Sequence, residues 1–483
     1  MPRVNFARDV VDAAEPRAVA LVERARDGRR REWSFGEVAE ASSRLAGWMG
    51  ARGIGRGNVV MTLIGNRPEW VIAMVACIRI GAVALPCTEQ LRPKDLARRG
   101  AVISASLVLA DPRNRATLDA AGLPATFLDE PGLFDGPDEA ATVELGALDP
   151  CLLTFTSGTA GEPKAVLHGQ RYLAGQALQA EHWFAPGPGG LVWCTAASGW
   201  SKSARNVFVA PWLRGAAALL HDARFDPAER LELLDEEGVT VLCMAPTEYR
   251  VIAARVPLRR FPALRGLVAA GEALNPEVLR VWQAATGLAI RDGYGQTETG
   301  QLTGMPARGV IRPGSMGRAL PGIRLWIDDG ELVADPATVP TFFLGYLGAD
   351  GAVEAPTSPW RTGDRVLEDV DGFLFFEGRS DDVIISAGYR IGPFEVESAL
   401  VEHPAVAEAA VVAAPDPERG SVVRAVVVLG EGRTGTPELA RELQEHVKAA
   451  TAPYKYPRIV EWADELPKTD SGKVRRALLR GAD

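Results

Sequence analysis

Apolar and polar positions along the chain fall into blocks whose period changes. Residues 58–64, NVVMTLI, form a continuous apolar run, the pattern of a strand buried on both faces of a parallel sheet. Residues 68–80, PEWVIAMVACIRI, are long enough for a helix and begin with proline, which suits a first helical turn. AVALP (82–86), PKDLARRGAVI (93–103) and SLVLA (106–110) continue the alternation. Ahead of them, Ser34 and Glu37 form S-x-x-E before an amphipathic stretch reaching Met49, a capping-box start. Strand and helix alternating in this way predict an α/β fold with mostly parallel sheets.

A second block of the same kind runs from Gly190 to Ile290. GLVWCTA, AAALLHD, TVLCMAP and GLVAAG read as strands, with helical stretches around 227–237 and 275–286. After about residue 308 the texture changes. Short β-like pieces, GIRLWIDDGELVAD and DRVLEDVDGFLFFEGR, are separated by Gly, Pro and Asp, which predicts a small antiparallel unit. From about 382 a compact α+β unit follows, with strands in DVIIS, AVAEAAVVA and SVVRAVVVL and helices in PFEVESALVEH and PELARELQEHVKAA. The chain then ends in a polar loop, ELPKTDSGKVRRALLR.

Composition narrows the function. The 483 residues carry a formal net charge of −9, which argues against a general nucleic-acid or membrane-surface binder. The five cysteines, Cys77, Cys87, Cys151, Cys194 and Cys243, show no C-x-x-C and no zinc spacing. Most sit in apolar surroundings and read as reduced, buried thiols. No apolar signal-peptide core and no run of about 18 apolar residues appears, so a cytoplasmic protein without a membrane span is expected.

Five segments carry chemistry. TSGTAGEPK (156–164) supplies two glycines, several hydroxyls and Lys164, the donors a polyphosphate needs. It is not G-x-x-x-x-G-K-[ST], and a polar loop between two strands would look similar. RDGYGQTETG (291–300) joins an aromatic, small residues, Thr297 and Glu298. A hydroxyl beside a carboxylate suits a phosphate and its Mg²⁺. WRTGDRV (360–366) sets Asp364 after a Gly turn, where a carboxylate can accept from a ribose diol or simply cap a turn. GRSDDVIISAGYRIGPFEVE holds Arg379 and Arg390 around a short strand, and LPKTDSGKVRR places Lys473 on a Gly-bearing loop before a helix. A mobile lysine there would neutralise charge as a carboxylate becomes an anhydride.

In this order and spacing the five segments resemble the adenylate-forming superfamily of acyl-CoA synthetases, luciferases and peptide-synthetase adenylation domains. SGWSKSARNVFVAPWLRGA, YGQTETG, SAGYRIGPFEVESAL, PDPERGSVVRAVVVL and TAPYKYPR look most like the medium-chain acyl-CoA synthetases. The resemblance implies a large N-terminal domain, residues 1–380, of two α/β sheet subdomains plus a small β-barrel-like subdomain. A small mobile α+β C-terminal domain, residues 381–483, would follow, with its hinge at Asp381.

It also implies a two-step reaction: a small-molecule carboxylic acid attacks the α-phosphate of ATP, releasing pyrophosphate, and the thiol of coenzyme A then displaces AMP. Lys473, Thr297 and Arg390 resemble the catalytic set around the α-phosphate, and Glu298 the Mg²⁺ ligand. Thr156, Ser157, Gly158, Thr159, Gly161 and Lys164 resemble the β,γ-phosphate loop. Gly271 and Glu272, with Asp292, Gly293 and Tyr294, resemble the adenine pocket; Asp364 and Arg379 resemble the ribose site. Ala387, Gly388 and Tyr389 resemble the loop lining the pantetheine tunnel, and Arg419 an arginine near the CoA nucleotide.

Departures from the pattern bear on substrate and assembly. Ala160 stands where the loop usually has Ser or Thr. The N-terminus and the stretch 322–360 are short, which puts oligomer contacts such as a homodimer in doubt more than chemistry. Gly295 stands where acetate-specific relatives carry Trp, which implies an acid larger than propionate, medium-chain or aromatic. Trp200 would border the carboxylate. Trp193, Trp200 and Trp212 suggest a flat acid, although core packing explains Trp193 equally well. Two alternatives stand beside the CoA ligase: delivery of the acyl group to a carrier-protein phosphopantetheine or small nucleophile, and a silent nucleotide-binding protein.

Overall fold

The computed structural model describes residues 3–135, 140–156, 163–271, 274, 276–430, 432–468 and 474–480. The predicted capping box forms: the Ser34 hydroxyl accepts from the Glu37 amide and the Glu37 carboxylate accepts from Ser34, starting the helix Phe35–Gly50. The helix Pro68–Ile80 begins on its proline and stops at Gly81, whose φ of 72° turns the chain into the strand Val83–Cys87. It is buried almost all round, because it packs between that strand's sheet and the helix Phe35–Gly50.

Two large sheets form the bulk of the molecule. The first has eight strands. Pro150–Phe155, Val83–Cys87, Val59–Leu63, Leu107–Ala110 and Thr126–Phe127 run parallel, while Ala165–Gly169, Gly345–Leu347 and Val353–Glu354 extend one edge by antiparallel pairing. The second has nine. Its parallel centre, Ile290–Gln296, Gly266–Ala270, Val241–Met244, Leu191–Cys194 and Ala217–His221, matches the four strand-like runs of the second block and the strand that follows them. Two strands in the first 34 residues, Val19–Arg24 and Arg30–Ser34, close its far edge; no apolar alternation marks the second of these, RREWS.

The third unit is antiparallel as expected, built from Leu325–Asp328, Glu331–Ala334, Trp360–Glu368 and Leu374–Arg379. Among the described residues, its four strands form one sheet whose outer strands pair with nothing further. The last unit sets Val406–Asp416, Gly420–Leu429 and Ile459–Trp462 in one sheet. The helices Pro393–Glu402 and Pro437–Ala450 pack on it around Val396, Leu400, Leu443 and Val447. Among the described residues, no helix is long and apolar enough to cross a membrane.

Two of the three singled-out tryptophans are core. Trp212 packs on Phe6, Phe35 and Phe208, and its indole N–H donates to the Ala20 carbonyl at 2.9 Å. Trp193 faces the other side of its sheet, under the Arg230 guanidinium at 4.6 Å. The aromatic cluster read from the sequence therefore reduces, at the site, to Trp200.

Candidate active site

The strands Gly266–Ala270 and Ile290–Gln296 lie side by side in parallel, and the carboxyl end of the second meets the third sheet; the carboxyl ends of parallel strands are the usual place for a ligand in an α/β protein. Asp364 sits at this meeting, 5 % exposed. Its Oδ2 accepts from the Tyr294 hydroxyl and from Gln296 Nε2 at 2.9 Å, and its Oδ1 accepts from Arg379 Nη1 at 3.1 Å. Burial raises the carboxyl above its ordinary value while Arg379 and the two neutral donors oppose that rise. Gln296 also donates to the Thr362 carbonyl at 2.7 Å and accepts from Trp360 Nε1 at 2.9 Å. The segments around 294, 364 and 379, far apart in sequence, thus meet on one carboxylate, and Gln296 and Trp360 lock the meeting point.

Asp292 lies deeper. Its Oδ1 accepts from the Gly293 amide at 2.8 Å, and burial pushes its carboxyl up to about 8. Lys202, in the turn SGWSK, works against that shift. The Lys202 ammonium donates to the Ala270 carbonyl at 3.0 Å, and a Cβ added to Gly271 would lie 3.1 Å from it. A narrow cavity opens here, lined by Cys194, Trp200, Lys202, Asn206, Cys243 and Glu248, with about 260 Å³ of empty space when its mouth is included. Only about 10 Å³ of it admits the centre of a water molecule, so it is a slot. Just before Trp200, Gly199 has φ 93°, and its missing Cβ leaves room for the backbone of Cys87 and Thr88, which a Cβ would meet at 2.3–2.8 Å.

Gly295 does not line the slot. A Cβ there would strike the Gly300 carbonyl oxygen at 1.9 Å, across the irregularity where Ile290–Gln296 pairs with Gly300–Gly304. The structure gives this glycine a backbone reason, the close approach of two strands.

Thr156 and Lys164 close the neck of the glycine-rich segment: the Thr156 amide donates to the Lys164 carbonyl and the Lys164 amide to the Thr156 hydroxyl, both at 3.0 Å. The Lys164 ammonium lies 4.6 Å over the Tyr346 ring, and the Tyr346 hydroxyl donates to Glu298 at 2.9 Å. A cation, a phenol and a carboxylate from three segments therefore converge. The turn bearing Thr297 and Glu298 is fixed from behind. The Phe343 amide donates to the Glu298 carbonyl at 2.9 Å, and the buried His168 hydrogen-bonds to the Thr297 backbone while stacking on Tyr172 at 4.0 Å. Burial pushes His168 down to about 3, so its ring is neutral.

Arg390 stands apart from this cluster. It pairs with Asp329 at 3.2 Å, in the turn of the third sheet. In the neighbouring loop, the Ala387 amide donates to the Arg419 carbonyl at 3.0 Å, so these two positions are adjacent. Gly388 carries a φ of 84°, and Tyr389 stacks on Tyr454 with ring centres 4.4 Å apart. Arg379 reaches on to Asp381 at 3.4 Å. Ser157, Gly158, Thr159, Ala160, Gly161, Glu272 and Lys473 lie outside the described residues. Sequence reasoning missed Gln296, Trp360, Tyr346, His168 and Lys202. Gln296 was within its own motif, but nothing in the string links His168 or Tyr346 to it.

The family model described as AMP-binding enzyme matches residues 8–347, and that of the AMP-binding enzyme C-terminal domain matches residues 395–473. The acyl-coenzyme A synthetase ACSM4 of Rattus norvegicus is 38 % identical over 521 residues, covering 99 % of this chain and 90 % of its own. The uncharacterized acyl-CoA ligase YtcI of Bacillus subtilis is 36 % identical, covering 97 % and 94 %. Among solved structures, the anthranilate CoA ligase AuaEII in complex with anthranoyl-AMP superposes with a TM-score of 0.90 at 26 % identity, covering 100 % of this chain and 98 % of that one. A benzoate CoA ligase from Burkholderia xenovorans LB400 gives 0.87 at 27 %, covering 99 % and 100 %. The shared carboxylate of Asp364 and the matches over nearly the whole length agree: this chain belongs to the AMP-binding enzymes and, within them, to the acyl-CoA synthetases.

Proposed function

We propose that the protein is an ATP-dependent acid:CoA ligase for an acid larger than propionate, medium-chain or aromatic. The observation that carries this reading is the strand Ile290–Gln296, which joins two sets of residues. Its end donates to Asp364 from Tyr294 and Gln296, while its Asp292 feels the charge of Lys202, which lines the slot with Trp200. A nucleotide held at Asp364 and an acid held at the slot would meet along this strand. The benzoate and anthranilate ligases among the structural neighbours act on acids of that size.

The substrate carboxylate is itself the nucleophile of the first step, so the chain's work is positioning and charge neutralisation. Asp364 is the acceptor for the ribose hydroxyls. Asp292 and Gly293 with Gly271 border the base. Lys164, held at the neck by Thr156, faces the departing pyrophosphate, and Thr297, steadied by His168, faces the α-phosphate. Lys202 gives the incoming carboxylate a cationic neighbour. Glu298 engages one carboxylate oxygen with Tyr346 and keeps the other for Mg²⁺, a cation that favours one or two carboxylates plus phosphate oxygens and would neutralise phosphate charge when bound. For the second step, residues 381–483 turn about Asp381, releasing Arg390 from Asp329 and bringing Ala387, Gly388 and Tyr389, with Arg419 beside them, to the thiol of coenzyme A. The five free, buried cysteines support a reducing, cytoplasmic setting.

ATP–pyrophosphate exchange with acids graded from acetate to long-chain and aromatic tests the first step, and thioester formation with coenzyme A the second. Exchange with no acid in the panel would leave a silent nucleotide-binding protein. A thioester formed on a carrier protein but never on CoA would move the acceptor.

A further inference from the structure

Two of the five cysteines face each other across neighbouring strands. Cys194 ends Leu191–Cys194 and Cys243 lies in Val241–Met244; the strands run parallel with Cys194 in register with Cys243. Neighbouring strands lie roughly 4.8 Å apart, inside the span of about 4.4–6.8 Å between the Cα atoms of a disulfide. Paired positions point to one face of a sheet, and here that face is the wall of the slot, which both residues line. The other three cysteines have no such partner. Cys87 contacts the Arg99 guanidinium at 3.5 Å, while Cys77 and Cys151 lie in the apolar core.

We infer that Cys194 and Cys243 form a dithiol site for a small hydroperoxide, which oxidises them to a disulfide on the wall of the slot. Access comes through the slot itself, since both residues are otherwise buried, at 2 % and 4 % exposure. The pair is also polarised. The thiols hydrogen-bond to each other, which lowers the Cys194 thiol below its ordinary value and raises that of Cys243 well above it, and Lys202 favours the thiolate at Cys194. Glu248 opposes this at Cys194, and burial opposes it at both. Asn206 Nδ2 approaches the Cys243 sulfur at 3.9 Å.

The chemistry balances in two steps. The Cys194 thiolate attacks one peroxide oxygen; the O–O bond breaks, an alcohol or water leaves, and a sulfenic acid remains. The Cys243 sulfur then attacks the Cys194 sulfur; the S–O bond breaks, water leaves and the S–S bond forms. Two electrons pass from the sulfurs to the peroxide, and the thiol protons end on the leaving oxygens. Joining the sulfurs withdraws Cys243 from Asn206 and reshapes the wall opposite Trp200. On the reading of this slot as the acyl site, acid binding is then lost while nucleotide binding persists.

The test is peptide mapping of the full chain after graded hydrogen peroxide, with exchange activity and nucleotide binding measured on the same samples. The expected result is one disulfide joining Cys194 to Cys243. Exchange should fall in proportion to its formation, nucleotide binding should be retained, and a dithiol reductant should restore activity. Saturation with acid and ATP beforehand should slow the reaction. Cys243→Ala should give no disulfide and stop at oxidised Cys194; if that variant does not fold, the wild-type map alone decides. Five free thiols under peroxide that converts glutathione, or a disulfide joining other cysteines, would overturn the proposal. The map needs no acid substrate, so it stands or falls apart from the ligase reading. A correct disulfide with unchanged exchange would overturn the effect on the slot.

Discussion

Replacing Gly295 with alanine separates two explanations for that residue. A Cβ at this position lies 1.9 Å from the Gly300 oxygen and 2.9 Å from the Gln301 Cα, whereas real Cβ atoms essentially never come within 3.0 Å. The strands must part by 3.0 − 1.9 = 1.1 Å at the Gly300 oxygen. The obstacle is backbone, so no side-chain rotation relieves it. Overpacking of this kind costs about 1–3 kcal/mol. At about 2–4 °C per kcal/mol for domains of about 150–250 residues, the melting temperature falls by about 2–12 °C. The displacement also moves Tyr294 and Gln296, which flank Gly295 and both donate to Asp364. Hydrogen bonds to a charged group contribute about 1.5–3 kcal/mol, and each 1.4 kcal/mol is about tenfold. The KM for ATP therefore rises about tenfold or more, and that for the acid rises less. Thermal melting and exchange kinetics against both substrates measure this. A Gly295→Ala enzyme that melts with the wild type, keeps its KM for ATP and turns toward shorter acids would refute the backbone argument. It would restore the glycine as an opening of the acyl pocket.

Three further outcomes are expected. Asp364→Asn keeps the shape but loses the charge that Tyr294, Gln296 and Arg379 serve; the KM for ATP should rise about tenfold to a hundredfold, and an unchanged value would remove Asp364 from the ribose site. Asp292 is raised from 3.8 to about 8 in the fold, so the native state holds a proton that the unfolded chain releases, and stability falls as pH rises between those values; melting curves from pH 5 to 8 should show a slope that Asp292→Asn flattens, and identical slopes would contradict its burial. Asp381→Pro, by fixing φ at the hinge, should impair thioester formation and spare adenylation, whereas Lys473→Ala should abolish adenylation yet leave thioester formation from supplied acyl-adenylate largely intact; equal loss of both steps in either variant would argue against two working arrangements.

The α/β core was legible because its strands and helices carry strong local signals: NVVMTLI is apolar throughout, and PEWVIAMVACIRI starts on a favourable proline. Val19–Arg24 and Arg30–Ser34 were not, since RREWS forms a strand only through its partner and not from its own apolar pattern. The chemical motifs were readable as segments, but their meeting was not. That Tyr294, Asp364 and Arg379 share one carboxylate depends on how the third sheet docks, which no local pattern encodes. His168 illustrates the limit: its role lies in a contact with Thr297, and an isolated histidine in an apolar strand looks like any core residue. Gly295 illustrates a different limit: its letter suggested an open pocket, and the geometry adds a backbone reason for glycine that the string does not show.

The carboxylate of Asp364 belongs to one sheet, and two of its donors belong to another. On the proposed reading of Asp364 as the ribose acceptor, the angle between those sheets and the occupancy of that site are a single coordinate. Tyr294 and Gln296 donate to the oxygen that the sugar hydroxyls would use, so binding would exchange partners and desolvate little new charge. Arg379 carries the same coordinate onward to Asp381. If Asp381 is the proposed hinge, reciprocity requires that a nucleotide that changes the grip on Arg379 change the ease of that turn, and that the turn change the grip on the nucleotide by the same factor.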